Sequence, residues 1–155
     1  MATRSAIAVM HGERVKAVYC HWDGYVEHNG FILQTYYNNT VSANKLISMG
    51  DISSLGSEIG EKHEFGIEYE PTYVDNAWGV SVSKECTFYN RDRGEDTSWK
   101  SFDSLTAFVE YYFDGPFCEY AYVLMDGYWQ FCTRNNRCFR PVDEALKEVF
   151  EKEPV

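Results

Sequence analysis

His21-Trp22-Asp23-Gly24-Tyr25, followed closely by Glu27 and His28, is the densest polar and aromatic cluster in the chain. A histidine placed there is suited to act as a base or a metal ligand, with Asp23 to orient it. A glycine permits close backbone approach, and free amides at a helix start favour an anion. A structural junction is the other reading: Asp23 caps a helix, Trp22 and Tyr25 pack, and His21 bonds the backbone. His21 and His28 lie across a strand–helix junction, which is not a metal-ligand spacing.

The second cluster is Arg91-Asp92-Arg93-Gly94-Glu95-Asp96. Two arginines two apart on extended chain point the same way. Their planar guanidiniums match two oxygens of a phosphate, and the neighbouring acids would orient them or hold a divalent cation. A salt-bridged surface turn is the bland alternative. Arg134, Arg137 and Arg140 form a third group in a stretch without acids. On an acidic chain such a patch suggests a local anion site. The expected ligand-binding set is therefore His21, Trp22, Asp23, Tyr25, Arg91, Arg93, Arg134 and Arg137. No catalytic residue, metal or cofactor is assigned. Phosphate-loop, dinucleotide, nucleophile-elbow and His-Glu-x-x-His signatures are absent.

The formal charge is −10 and aromatics make up 17% of 155 residues. That charge argues against a generally basic nucleic-acid binder. No run approaches the roughly 20 apolar residues of a membrane span. Acids concentrate between residues 51 and 75, against Lys62 alone. A solvated face is the ordinary reading of such a run. An acidic, DNA-mimicking docking surface centred on Glu64, Glu68 and Glu70 is the sharper one. The five cysteines include no Cys-x-x-Cys pair and read as reduced core residues of a cytosolic protein. The opening apolar run is too short for a signal peptide.

The elements that must position these groups follow from periodicity. Ile7 to Cys20 reads as a hairpin turning at Gly12. Tyr25, Asn29, Ile32, Leu33 and Tyr36 fall at helical spacing. Ser42 is placed to cap a second helix that ends at Gly50. Residues 51–79 read as a Gly/Ser-rich acidic insertion, and 80–90 as a strand. Asp103 or Ser104 caps a helix carrying Leu105, Phe108, Val109 and Tyr112. Glu119–Met125 and Tyr128–Arg134 flank Asp126-Gly127, a type I′ hairpin turn pairing Leu124 with Trp129 and Tyr122 with Phe131. Arg137–Arg140 adds a short strand, and Pro141 opens a last helix. The expectation is one α+β domain over 1–155: an antiparallel sheet of about five strands, with the helices packed on one face.

Thr3-Arg4-Ser5-x-Ile7, Tyr19-Cys20-His21-Trp22-Asp23-Gly24-Tyr25 and Arg91-Asp92-Arg93-Gly94-Glu95-Asp96 together resemble a family of small uncharacterised proteins of tailed bacteriophages and prophages. The closing aromatic hairpin resembles that family too, and Val26 departs from it where proline is usual. The resemblance implies an accessory protein acting in the cytoplasm of an infected bacterial host, in host takeover or counter-defence. The expected function is a non-enzymatic binding protein that sequesters a phosphate-bearing nucleotide. A protein inhibitor docking on a host defence enzyme through its acidic surface is the alternative, and a metal-dependent phosphodiesterase the third. Neither direct nucleic-acid binding nor membrane attachment is expected.

Overall fold

The first strand is apolar on both sides. In β1 (Ser5–His11), Ile7 and Val9 alternate with Ala6 and Ala8, and all four are buried. Such a strand needs cover on both faces of its sheet. β2 (Arg14–Cys20) returns antiparallel through a turn at Gly12, whose φ is +63°. The computed structural model describes residues 2–63, 73–75 and 81–151.

A π-helical turn (Val26–Gly30) leads into α1 (Phe31–Tyr36), and α2 (Thr40–Ser48) follows. Asn39, rather than Ser42, caps α2 by accepting the Ser42 amide at 2.8 Å. The expected insertion then opens with a strand, β3 (Ile52–Ser54). β4 (Tyr73–Asp75) pairs antiparallel with β5 (Ser81–Ser83). The expected strand over 80–90 is broken. It contains β5, the short β6 (Thr87–Phe88) and the start of a helical turn, α3 (Tyr89–Arg93). β7 (Lys100–Phe102) precedes α4 (Leu105–Asp114), whose cap Ser104 accepts the Ala107 amide. β8 (Tyr120–Met125) and β9 (Tyr128–Thr133) form the closing hairpin in the expected register, Leu124 opposite Trp129 and Tyr122 opposite Phe131. Asp126 and Gly127 both have positive φ, as a type I′ turn requires. β10 (Asn136–Pro141) and α5 (Val142–Phe150) complete the chain.

The fold is α+β, built on an eight-stranded sheet in the order β10-β9-β8-β1-β2-β3-β6, with β7 also paired to β2. Three expectations are corrected. The sheet has more than about five strands. It is mixed, because β1 runs parallel to β8 and β2 parallel to β3. The helices lie on both faces rather than one. One core joins Ile7, Val9, Val18, Tyr122, Leu124 and Trp129 to residues of α1, α2 and α5. The other joins Ala6, Ala8, Ala17, Ala121 and Val123 to Phe108, Val109, Tyr112 and Phe113 of α4. The physical reason is visible in β1: small apolar residues between large ones are a second buried face, not a solvent face.

β2 shares its outer edge between two strands. β7 pairs with Val15–Ala17, and β3 pairs at Cys20. Between them the sheet forks. There the Asp51 carboxylate accepts the Tyr19 amide at 2.9 Å, satisfying a backbone donor in the gap.

Candidate functional site

Four strand ends meet at one rim of the sheet. β1 begins beside Arg4, β2 ends before His21, β8 begins after Glu119, and β9 ends before Arg134. Backbone bonds lock these ends together: Glu119 N–H to Arg4 O at 2.8 Å, Arg134 N–H to Glu119 O at 3.1 Å, and Gly24 N–H to Thr3 O at 2.8 Å. The last contact demands glycine, since a Cβ at Gly24 would lie 2.7 Å from Thr3 O. The close approach expected of Gly24 is thus made to its own first strand.

On the α4 side of this rim is an open depression of about 430 Å³, lined by Ala2, Arg4, His21, Phe117, Glu119 and Arg134. The loop after α4 steers both guanidiniums. Arg4 Nη1 donates to Pro116 O at 3.1 Å, and Arg134 Nη1 donates to Phe117 O at 3.3 Å. Each arginine keeps further N–H donors for a ligand. Phe117 stands 60% exposed at φ +58°, a backbone region uncommon for a bulky residue. Strain of that kind collects at functional sites.

His21 is electrically tuned. Burial, then the guanidiniums of Arg4 and Arg93, push its pKa below the usual value. Its Nδ1 lies 2.7 Å from the Tyr19 hydroxyl. Burial raises the pKa of that hydroxyl, so it stays protonated and donates. The ring proton is thereby assigned to Nε2, where a neutral imidazole can donate to an oxyanion. Glu119 puts one carboxylate in the same wall, opposed by two guanidiniums in the lining and Arg93 nearby.

The expected site residues separate. His21 and Arg134 line the depression together. Arg93 reaches it electrostatically, with its guanidinium 5.4 Å from the Tyr89 ring. Trp22 stacks edge-on against His21, with centroids 4.7 Å apart, and is 44% exposed. Asp23, at φ +57°, accepts the Tyr25 hydroxyl at 3.2 Å and provides no side-chain cap to the helical turn. His28 bonds Asn29 instead of joining His21. Arg137 donates to Asp114 at 3.0 Å and covers the Phe113 ring. Arg140 is held by Glu144 and Glu148.

Arg91 requires the largest correction. Residues 89–93 are helical, so Arg91 and Arg93 do not project together from extended chain. Arg91 packs over Phe88 and makes a bidentate pair with Asp92. Its remaining N–H groups donate to the carbonyls of Ile59, Gly60 and Cys86. Every guanidinium donor is engaged, leaving none for a phosphate. Burial alone would raise the Asp92 pKa, but Arg91 and the amides of Phe88 and His63 outweigh it and hold the carboxyl below its usual range.

Sequence reasoning missed Arg4, Phe117, Glu119 and Tyr19 as site residues. Arg4 and Tyr19 carried a signal, since both stand in motifs of the phage resemblance. The others sit at a loop or strand end and come together only through the β1–β8 pairing. Cys20, Cys86, Cys118 and Cys132 are buried free thiols, while Cys138 is exposed, against the expectation of five core cysteines. Burial pushes the Cys20, Cys118 and Cys132 thiols up to about 12 and Cys86 to about 11. Glu64, Glu68 and Glu70 lie outside the described residues. Among the described residues no group of three or more His, Cys, Asp or Glu side chains is placed to hold a metal, and no helix is long and apolar enough to cross a membrane. Comparisons with protein-family models, curated proteins and solved structures found no match.

Proposed function

We propose that the protein is a binding protein for a phosphate-bearing nucleotide, which it holds by its phosphate at the strand-end rim. The observation that carries this reading is the convergence of Arg4 and Arg134 on neutral His21, with Arg93 behind, in a chain of net charge −10. Two charge-assisted donors and a neutral N–H match the oxygens of a phosphate. Sequestration of a nucleotide signal would suit the accessory role in an infected bacterium that the phage resemblance implies.

The test is calorimetric titration with inorganic phosphate and nucleoside 5′-monophosphates. Each rim arginine should supply roughly 1.5–3 kcal/mol, so Arg4→Ala and Arg134→Ala should each weaken phosphate binding roughly 10- to 100-fold. Thermal unfolding should barely move. Arg→Lys should recover only part of the loss, because an ammonium lacks the planar fork. Ligand recovered intact after denaturation marks binding. Altered ligand marks an enzyme, and unchanged affinity in both variants overturns the rim as the site.

A further inference from the structure

A second cavity, of about 200 Å³, opens at the fork of the sheet and is lined by Tyr19, Asp51, Lys100, Tyr111, Tyr112 and Pro116. It adjoins the rim through two shared structures. Tyr19 lines the fork cavity and bonds His21 of the rim with its hydroxyl. Pro116 lines the fork cavity, and the next residue, Phe117, lines the rim. Tyr19 therefore belongs to both sites, and a nucleotide likewise joins its base to its 5′-phosphate through the ribose.

The fork has the chemistry of a base pocket. Tyr111, 42% exposed, lines the cavity with the Lys100 ammonium 5.8 Å from its ring centroid, and so offers an aromatic surface beside a cation. Unpaired bases stack on such faces and are read along their Watson–Crick edge. The polar groups are few and specific. Asp51 gives one carboxylate oxygen to the Tyr19 amide, which leaves the other to accept from a ligand. Burial raises its pKa, while the Tyr19 amide and the Lys100 ammonium favour the charged form. Lys100 donates from the opposite strand of the fork. The Tyr112 hydroxyl, in the cavity wall, is buried without a hydrogen-bond partner, as is uncommon for a native buried polar group.

We infer that the fork cavity takes a guanine base whose 5′-phosphate occupies the rim. This rests on the rim reading for the phosphate and adds the identity of the base. Guanine presents two adjacent N–H donors beside a carbonyl acceptor. The remaining Asp51 oxygen, with its two lone pairs, accepts from these donors, and the ammonium of Lys100 donates to O6. Adenine offers a single exocyclic donor next to a ring acceptor, and that acceptor would face the carboxylate.

The experiment uses the whole chain with four probes: guanosine, guanosine 5′-monophosphate, adenosine 5′-monophosphate and inorganic phosphate. Guanosine monophosphate should bind roughly 10- to 100-fold more tightly than adenosine monophosphate. Asp51→Asn should abolish that preference and leave inorganic phosphate affinity unchanged. An asparagine keeps an oxygen for the Tyr19 amide, so the variant should fold. Lys100→Gln, on an exposed strand residue, is the second variant and should reduce the preference alone. Equal affinity for the two nucleotides, with no effect of either substitution, overturns the inference even if the rim arginines still matter. Guanosine bound in an Asp51-dependent way, with no gain from its phosphate, upholds the fork and defeats the rim reading instead. No binding of guanosine or of either nucleotide overturns the base pocket, and phosphate binding then decides the rim on its own.

Discussion

The two faces of the sheet are covered differently. The face under α1, α2 and α5 is filled with large side chains, Ile7, Val18, Tyr122, Leu124 and Trp129 among them. Polar atoms there find fixed partners: Trp129 Nε1 donates to Tyr37 O at 2.8 Å, and the Tyr122 hydroxyl donates to Gly24 O at 2.6 Å. The other face presents alanines and has one helix, α4, above them. Where α4 stops, the strand ends stay open, and both the rim and the fork lie there. The closed face sets stability, and the face with one helix leaves room for ligand chemistry.

Truncation on the closed face should have the largest effect. Trp129→Ala removes an indole that is 2% exposed and orphans the Tyr37 carbonyl. Loss of about 3–5 kcal/mol in denaturant unfolding is expected. A loss below about 1 kcal/mol would show that this face is no more critical than the open one.

The two arginines of α3 divide the comparison within a single turn. Arg91→Ala leaves the Asp92 carboxylate, whose side chain is 0% exposed, without its cation. Breaking a buried pair in this way costs about 3–5 kcal/mol. Arg93→Ala removes an exposed guanidinium and should change stability by about 0–1 kcal/mol. It should also let the His21 pKa rise and weaken phosphate binding modestly. Equal melting temperatures for the two variants would erase the distinction between them.

Much of this was legible in the sequence, and the losses have physical causes. The closing hairpin is local: two turn residues with positive φ and an alternating pattern determine its register. The Ser104 cap and the α4 stripe are local as well. The mixed pairing was not legible, because β1 meets β8 across most of the chain and nothing near either strand encodes a parallel partner. The helical turn at 89–93 was hidden for a different reason. Its sequence, Tyr-Asn-Arg-Asp-Arg, has no apolar period. It is held by Arg91 and Asp92 reaching back to carbonyls and amides elsewhere. His21 and Arg134 could be nominated by type, yet only the fold could add Arg4 and dismiss Arg91 from the anion site.

The smallest expected effect is on pH dependence, and it sharpens the contrast at the rim. His21 sits below its ordinary 6.5 in the folded protein. Between the two values the unfolded chain binds more protons, so stability should fall slightly as pH drops through that window. A phosphate beside His21 acts in the opposite direction. It favours the imidazolium, so bound phosphate should raise the His21 midpoint. The measurement is an NMR titration of the His21 ring with and without inorganic phosphate. A midpoint unmoved by phosphate counts against the rim.

The parallel pairing of β1 with β8 also orders events in time. Strand partners this distant in sequence meet slowly, because loop closure must precede any gain from contact. During synthesis Arg4 and His21 leave the ribosome long before Glu119 and Arg134. The first hairpin can form early, but its outer edge stays unpaired until the closing hairpin arrives. Until then an exposed strand edge stands where the rim will be. Binding competence should therefore appear only once the closing hairpin, through Arg134, has been released and has paired with β1.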